Sequence, residues 1–202
     1  MSKQDIVIIK YNAGNIRSVN NALQQLNQKA EITADPEKIL RAHKVIFPGV
    51  GEASTTMKYL NETGLASLIK SLRQPVLGIC LGMQLMGSYS EEGDVACLGI
   101  FDETVKKFRL PHPNPENLKI PQMGWNQIYN LKSPLFDATL EGQYVYFVHS
   151  YYVSLGAHTT ATTDYLLPYS SALQHDNFFA TQFHPEKSGT VGQRILQNFL
   201  NL

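Results

Sequence analysis

The stretch Pro75 to Gln84, PVLGICLGMQ, decides how this chain is read. A short apolar strand, PVLGIC, runs straight into a helical segment, LGMQLMGSYS, with Cys80 at the junction. Glycines stand two residues before the cysteine and two after it, at Gly78 and Gly82. Such flanking glycines relieve crowding at a sharp strand-to-helix turn, where the central residue is forced into an unfavourable backbone conformation. The turn pushes that side chain out of the sheet and sets it at the start of the next helix, whose positive end favours a thiolate. Cys80 is therefore expected to be a nucleophile, with a packing thiol as the bland alternative. Cys97, in DVACLGI, has no strand, turn and helix around it and is expected to pack.

Outward from this turn the first half of the chain alternates strands and helices. DIVIIK is a strand by its β-branched run, and after the Gly14-Asn15 turn Ile16, Val19, Leu23 and Leu26 fall at helical spacing. AEIT is a second strand, and PEKILRA is a short helix opened by proline. HKVIFPGVG is a third strand ending in a glycine-rich turn, and EASTTMKYLNETG and LASLIKSLR are helices separated by Gly64. This alternation implies a parallel sheet covered on both faces. From Thr104 onward the strand-like pieces QIYN, QYVYFVHSYYV, TTATTDY and NFFATQF follow one another and suggest antiparallel or mixed pairing. GTVGQRILQNFLNL closes the chain as a helix with Ile195, Leu196, Phe199 and Leu200 on one face, and LPHPNPEN reads as an exposed loop. The expected fold is α/β: a mixed, largely parallel open sheet flanked by helices, with antiparallel strands in the C-terminal half. Residues 1–202 are expected to form a single domain.

Composition narrows the function classes. Lys plus Arg and Asp plus Glu both number 17, so no charge excess points to nucleic acid or an acidic membrane. Two distant cysteines make neither a disulfide framework nor a metal cluster, which favours a reducing compartment. The apolar run Ile6 to Ile9 is too short for a signal-peptide core, and no stretch approaches the ~18 apolar residues of a membrane span. A cytoplasmic protein is expected.

A nucleophilic thiol needs a base, and the base needs a group to orient it. Of the six histidines, His43 precedes a strand, His112 sits in the proline loop, and His158 and His175 lie in polar turns. His184 differs: in ATQFHPEKSG it follows an apolar strand and precedes Pro185, which forces an extended exit. Glu186 comes two residues later, able to reach back to the imidazole. His149, in FVHSYY, is the competing candidate.

GICLGMQ and QFHPEKSG, with PGVG between Pro48 and Gly51, resemble the triad-type (class I) glutamine amidotransferases, whose sheet is flavodoxin-like. PQMGWN, YFVHSYY and the lysine of HPEKSG are most similar to the branch that supplies the glutaminase subunit of imidazole glycerol phosphate synthases, of histidine biosynthesis. The resemblance spans the chain from YNAGNIRSV to the final helix, with one departure: Lys10-Tyr11-Asn12 stands where that family usually has Asp-Tyr-Gly. It implies Cys80 as nucleophile, His184 as general base and acid, and Glu186 as its orienter. The turn Gly49, Val50 and Gly51, with the backbone N–H of Leu81, would form the oxyanion hole. Gly51, Gln84, Glu92, His149, Ser150 and Tyr151 would hold glutamine. Trp125, Tyr146 and Lys187 would form a docking face for a β/α-barrel cyclase subunit in a heterodimer. No cofactor and no metal is implied.

Other readings stay open at this point. Glutaminase subunits of anthranilate or aminodeoxychorismate synthesis share the triad, although they usually carry PGPG and a different residue after His-Pro-Glu. A stand-alone γ-glutamyl hydrolase and a non-catalytic binding module are the remaining alternatives.

Overall fold

A computed structural model describes residues 5–11, 15–114 and 117–202. Asn12 and Gly14, of the first turn, lie outside the described residues. The first strands are β1 (Ile6–Ile9), β2 (Ala30–Thr33), β3 (Lys44–Gly49) and β4 (Val76–Cys80). Between them run α1 (Ile16–Gln25), α2 (Pro36–Arg41), α3 (Ala53–Glu62) and α4 (Leu65–Ser71). Every residue of β1, β3 and β4 is buried, the mark of parallel strands covered on both faces. Their side chains divide by alternation. Val7, Ile9, Val45 and Phe47 pack with Ile39, Met57, Leu60 and Ile69 under α2, α3 and α4. Ile6, Ile8 and Ile46 pack on the opposite face with Val19 and Leu23 of α1 and with Ile195, Leu196 and Phe199 of the last helix.

Beyond Cys80 the elements are α5 (Leu81–Met86), β5 (Tyr89–Ser90), β6 (Val95–Ala96), β7 (Thr104–Lys107) and β8 (Gln122–Gln127). They are followed by β9 (Tyr144–His149), β10 (Tyr151–Val153), β11 (Thr159–Tyr165), β12 (Leu167–His175), β13 (Phe178–Thr181) and α6 (Gly189–Leu200). One sheet runs β2-β1-β3-β4-β13-β12-β10-β7-β5-β6, with β11 added on β12, while β8 and β9 form a separate two-stranded ribbon. The neighbours β2, β1, β3, β4 and β13 are all parallel, and antiparallel pairing begins at β12. Among the described residues no helix is long and apolar enough to cross a membrane.

Three local expectations are corrected, and one strand was not anticipated. The helix after Cys80 stops at Met86, because Gly87 turns the chain and Ser88 N–H bonds the carbonyl of Glu103, opening β5. The strand expected at QIYN lies earlier, at Gln122–Gln127, where the whole segment pairs with β9. QYVYFVHSYYV is two strands: it breaks at Ser150, leaving the ribbon and entering the main sheet. β12, LPYSSALQH, carries no strand signal of its own, since proline and serines replace β-branched residues. Burial from Tyr169 to Leu173 between three neighbouring strands makes it a strand regardless.

Gly82 is required by close packing. A Cβ built there would lie 2.0 Å from the carbonyl oxygen of Phe47, in β3. Gly82→Ala is therefore expected to lower unfolding stability by about 2 kcal/mol or more, despite alanine's better helix propensity. Urea denaturation would measure it, and an unchanged midpoint would contradict this packing account.

Candidate active site

Register builds the site. Cys80 pairs with Gly49 across β3–β4, and Ile79 pairs with Thr181 across β4–β13, so the segment after β13 runs beside Cys80. Three carboxyl ends of parallel strands thus meet in one place, where open α/β sheets bind their ligands. Cys80 has φ 54° and ψ −110°, a strained conformation for a residue with a side chain. Its thiol lines a cavity of about 260 Å³ together with Val50, Gly51, Leu81, Gln84 and His184. Glu92, Val148, His149, Ser150 and Tyr151 complete the wall. Gly51 adopts φ 131°, a region open only to glycine, at the turn that faces the thiol. Gly49 lies behind this turn and does not line the cavity.

His184 and Glu186 are buried together, with 1% and 0% of their side chains exposed. His184 Nδ1 lies 2.7 Å from Glu186 Oε1, so the carboxylate fixes the proton on Nδ1 and leaves Nε2 for chemistry. Nε2 is buried without a hydrogen-bond partner among the described residues. Burial pushes the imidazole's ionisation down, but the Cys80 and Glu186 side chains outweigh it and raise it to about 10. The arrangement holds a cation between two groups that can carry negative charge. That is the electrostatics of an activated thiol whose partner can also protonate a leaving group.

The family profile described as "Glutamine amidotransferase class-I" matches residues 7–202. The chain belongs to that family. It is 60% identical over 197 residues to "Imidazole glycerol phosphate synthase subunit HisH" of Bacteroides fragilis (strain YCH46), covering 98% of this chain and 99% of that protein. The HisH of Pasteurella multocida (strain Pm70) is 47% identical over 98% of both chains. A solved Thermoplasma acidophilum protein, described as part of a GMP synthase, shares the fold at TM-score 0.74 and 18% identity, covering 100% of this chain and 94% of that one. The expected α/β amidotransferase fold is therefore the observed one, and the enzyme is a glutaminase subunit.

Within this amidotransferase the remaining expected residues fall into two groups. Gln84, Glu92, Ser150 and Tyr151 line the cavity. Glu92 accepts a 2.9 Å bond from the N–H of Ala53, and burial raises its carboxyl above the usual range. Trp125, Tyr146 and Lys187 lie outside the cavity, on the outer face of the β8–β9 ribbon and beside it. Trp125 is 55% exposed and meets Tyr146 edge-on at 6.0 Å, and the Lys187 ammonium sits 5.8 Å from the centre of the Tyr146 ring.

His149 lines the cavity, but its imidazole is committed to the protein. It is buried against Phe108, Phe147 and Tyr169, and its Nδ1 donates to the carbonyl of Tyr151 at 2.7 Å. His184, not His149, carries the carboxylate partner. Sequence reading missed three contacts around the site. Asn15 donates from Nδ2 to the same Glu186 oxygen that holds His184. Tyr11 donates its hydroxyl to the Pro48 carbonyl at 2.5 Å, just behind the glycine turn. Gln182 reaches the thiol itself. Gln182 directly follows β13, and only the pairing of that strand with β4 brings it to Cys80, so the sequence alone carried no signal for it.

Burial depresses His149 to about 4, so it stays neutral in the fold while the unfolded chain takes up a proton near 6.5. Between these values the unfolded state binds more protons, and stability is lost as pH falls from about 6.5 towards 4. The loss is on the order of 3 kcal/mol at about 1.4 kcal/mol per unit. His149→Gln should remove this part of the acid sensitivity. Urea midpoints measured for both proteins from pH 7 to pH 4.5 would converge, and a gap independent of pH would refute the assignment.

Proposed function

We propose that this single-domain chain hydrolyses glutamine through Cys80 and passes the ammonia to a β/α-barrel cyclase subunit of imidazole glycerol phosphate synthase. The convergence of Cys80 and His184 on one small cavity, with Glu186 buried behind the imidazole, carries the reading. Glutamine enters with its side-chain carbonyl towards the turn Gly49–Gly51 and its α-groups among Gln84, Glu92, Ser150 and Tyr151. The Cys80 thiolate attacks the amide carbon: the sulfur–carbon bond forms and the carbonyl electron pair moves to oxygen. Backbone N–H groups of Val50 or Gly51 and of Leu81 meet that oxygen. His184 gives its Nε2 proton to the amide nitrogen, the carbon–nitrogen bond breaks, and ammonia leaves a γ-glutamyl thioester. Water deprotonated by His184 then releases glutamate and restores the thiolate. Glu186 orients the imidazole throughout.

Ammonia released into neutral water becomes mostly ammonium, a poor nucleophile, so a direct receiver is needed. HisH proteins are named as subunits of imidazole glycerol phosphate synthase, and the 60% identity to one of them supports the same assembly here. The docking face is the exposed side of the ribbon, where Met123, Trp125 and Tyr144 stand out and Lys187 and Tyr146 lie adjacent. The barrel would join ammonia to a phosphorylated ribulosyl-formimino intermediate, giving imidazole glycerol phosphate and an aminoimidazole carboxamide ribonucleotide. We place the heterodimer in the cytoplasm.

Cys80→Ala should cut glutamine hydrolysis by roughly 10⁴-fold or more with the fold retained, while Cys97→Ala changes it little. Comparable activity in the Cys80 variant would remove the nucleophile from the scheme. Ammonium salt at high pH should restore synthesis by a complex carrying His184→Ala, since only the ammonia source is lost. Absence of rescue with an active barrel would assign His184 to assembly instead. The Gly49–Val50 peptide can rotate at low steric cost, so the isolated chain is expected to hydrolyse glutamine roughly 10²–10³-fold more slowly than the ligand-bound complex. A difference below about tenfold, ~1.4 kcal/mol, would count against that gate.

A further inference from the structure

Gln182 follows β13, and the pairing of Thr181 with Ile79 sets it beside Cys80. Its side chain is fully buried, yet both ends of the carboxamide are occupied. Nε2 lies 3.7 Å from Cys80 Sγ, and Oε1 accepts a 2.9 Å bond from Gln84 Nε2. The direction of an amide is set by its network, and this network has a fixed end. Gln84 Nε2 also lies 3.0 Å from the carbonyl oxygen of Tyr151, which can only accept. Gln84 must therefore turn its nitrogen towards Tyr151 and Gln182. Gln182 must answer with its oxygen, and its NH₂ is left pointing at the sulfur. Another polar neighbour of Sγ is the carbonyl of Val148 at 3.9 Å, which accepts from a thiol S–H. The carbonyl suits the thiol, and the amide N–H suits the thiolate.

We propose that Gln182 is a further catalytic residue: its Nε2–H donates to the Cys80 sulfur and favours the thiolate, in an orientation imposed by Gln84 and the Tyr151 carbonyl. This rests on Cys80 being the nucleophile. The donor acts on the free sulfur, before attack and again when the thioester breaks and the sulfur leaves with its electron pair. During the thioester the sulfur's charge is gone and the contact weakens. Gln182 thereby ties the nucleophile to Gln84, on the wall where glutamine binds.

The test is alkylation of the partner-free chain by iodoacetamide from pH 5 to 9, with the label located by mass spectrometry. Cys97, pushed up to about 11 by burial and the nearby Glu92 charge, labels slowly and reports on the fold. Gln182→Leu should move the Cys80 profile to higher pH by about one unit, a tenfold slower reaction at a fixed pH below the midpoint. Gln182→Glu, of the same size, replaces the donor with an acceptor and should move it further. Profiles that superimpose on the wild type in both variants overturn the proposal. Faster Cys97 labelling in the leucine variant would report a loosened fold, and the glutamate variant then decides alone. A wild-type Cys80 that resists alkylation, or that glutamine does not protect, would instead overturn the nucleophile assignment beneath it.

Discussion

The pairing of β4 with β3 on one side and β13 on the other is the constraint on which the rest depends. Because all three strands are parallel, their carboxyl ends fall at one edge, and the register makes Gly49, Cys80 and the segment after Thr181 neighbours. A slip of one residue in either ladder would turn the affected side chains to the opposite face of the sheet. The glycine turn, the thiol and the imidazole would then no longer share a cavity. The close approach of Gly82 to the Phe47 carbonyl packs α5 tightly on β3 and so ties the β3–β4 register.

The buried charge system follows from that placement. His184 and Glu186 are removed from water, where an isolated ion would be strongly disfavoured, and each survives by the presence of the other. Asn15, from the start of α1, adds a donor to the same carboxylate oxygen. A helix at the far end of the sequence thus helps to hold the carboxylate that orients the imidazole.

The site was legible in the sequence wherever its logic is local. Glycine spacing announces the turn at Cys80, and Pro185 with Glu186 singles out His184 within one short segment. The contacts that escaped are long-range: Gln182 to Cys80 spans 102 residues and Asn15 to Glu186 spans 171. Polar side chains of that kind leave no periodic trace, because their partners are set by strand order and not by neighbours in the chain. The same reason hid β12, whose proline and serines become strand only between β11, β13 and β10. Ser150 is a subtler case. The strand-like pattern resumes directly after it at Tyr151, while the chain changes sheets and makes the cavity wall from both.

The position of β13 has a consequence for synthesis. It is the last strand in the chain but sits in the middle of the sheet, between β4 and β12. Until residues 178–181 have emerged from the ribosome, β4 is an unpaired edge of apolar residues, open to pairing with other chains. The nascent polypeptide already holds its thiol by then, but neither imidazole nor carboxylate stands beside it. The thiol gains its imidazole and carboxylate neighbours only once this strand takes its place between β4 and β12.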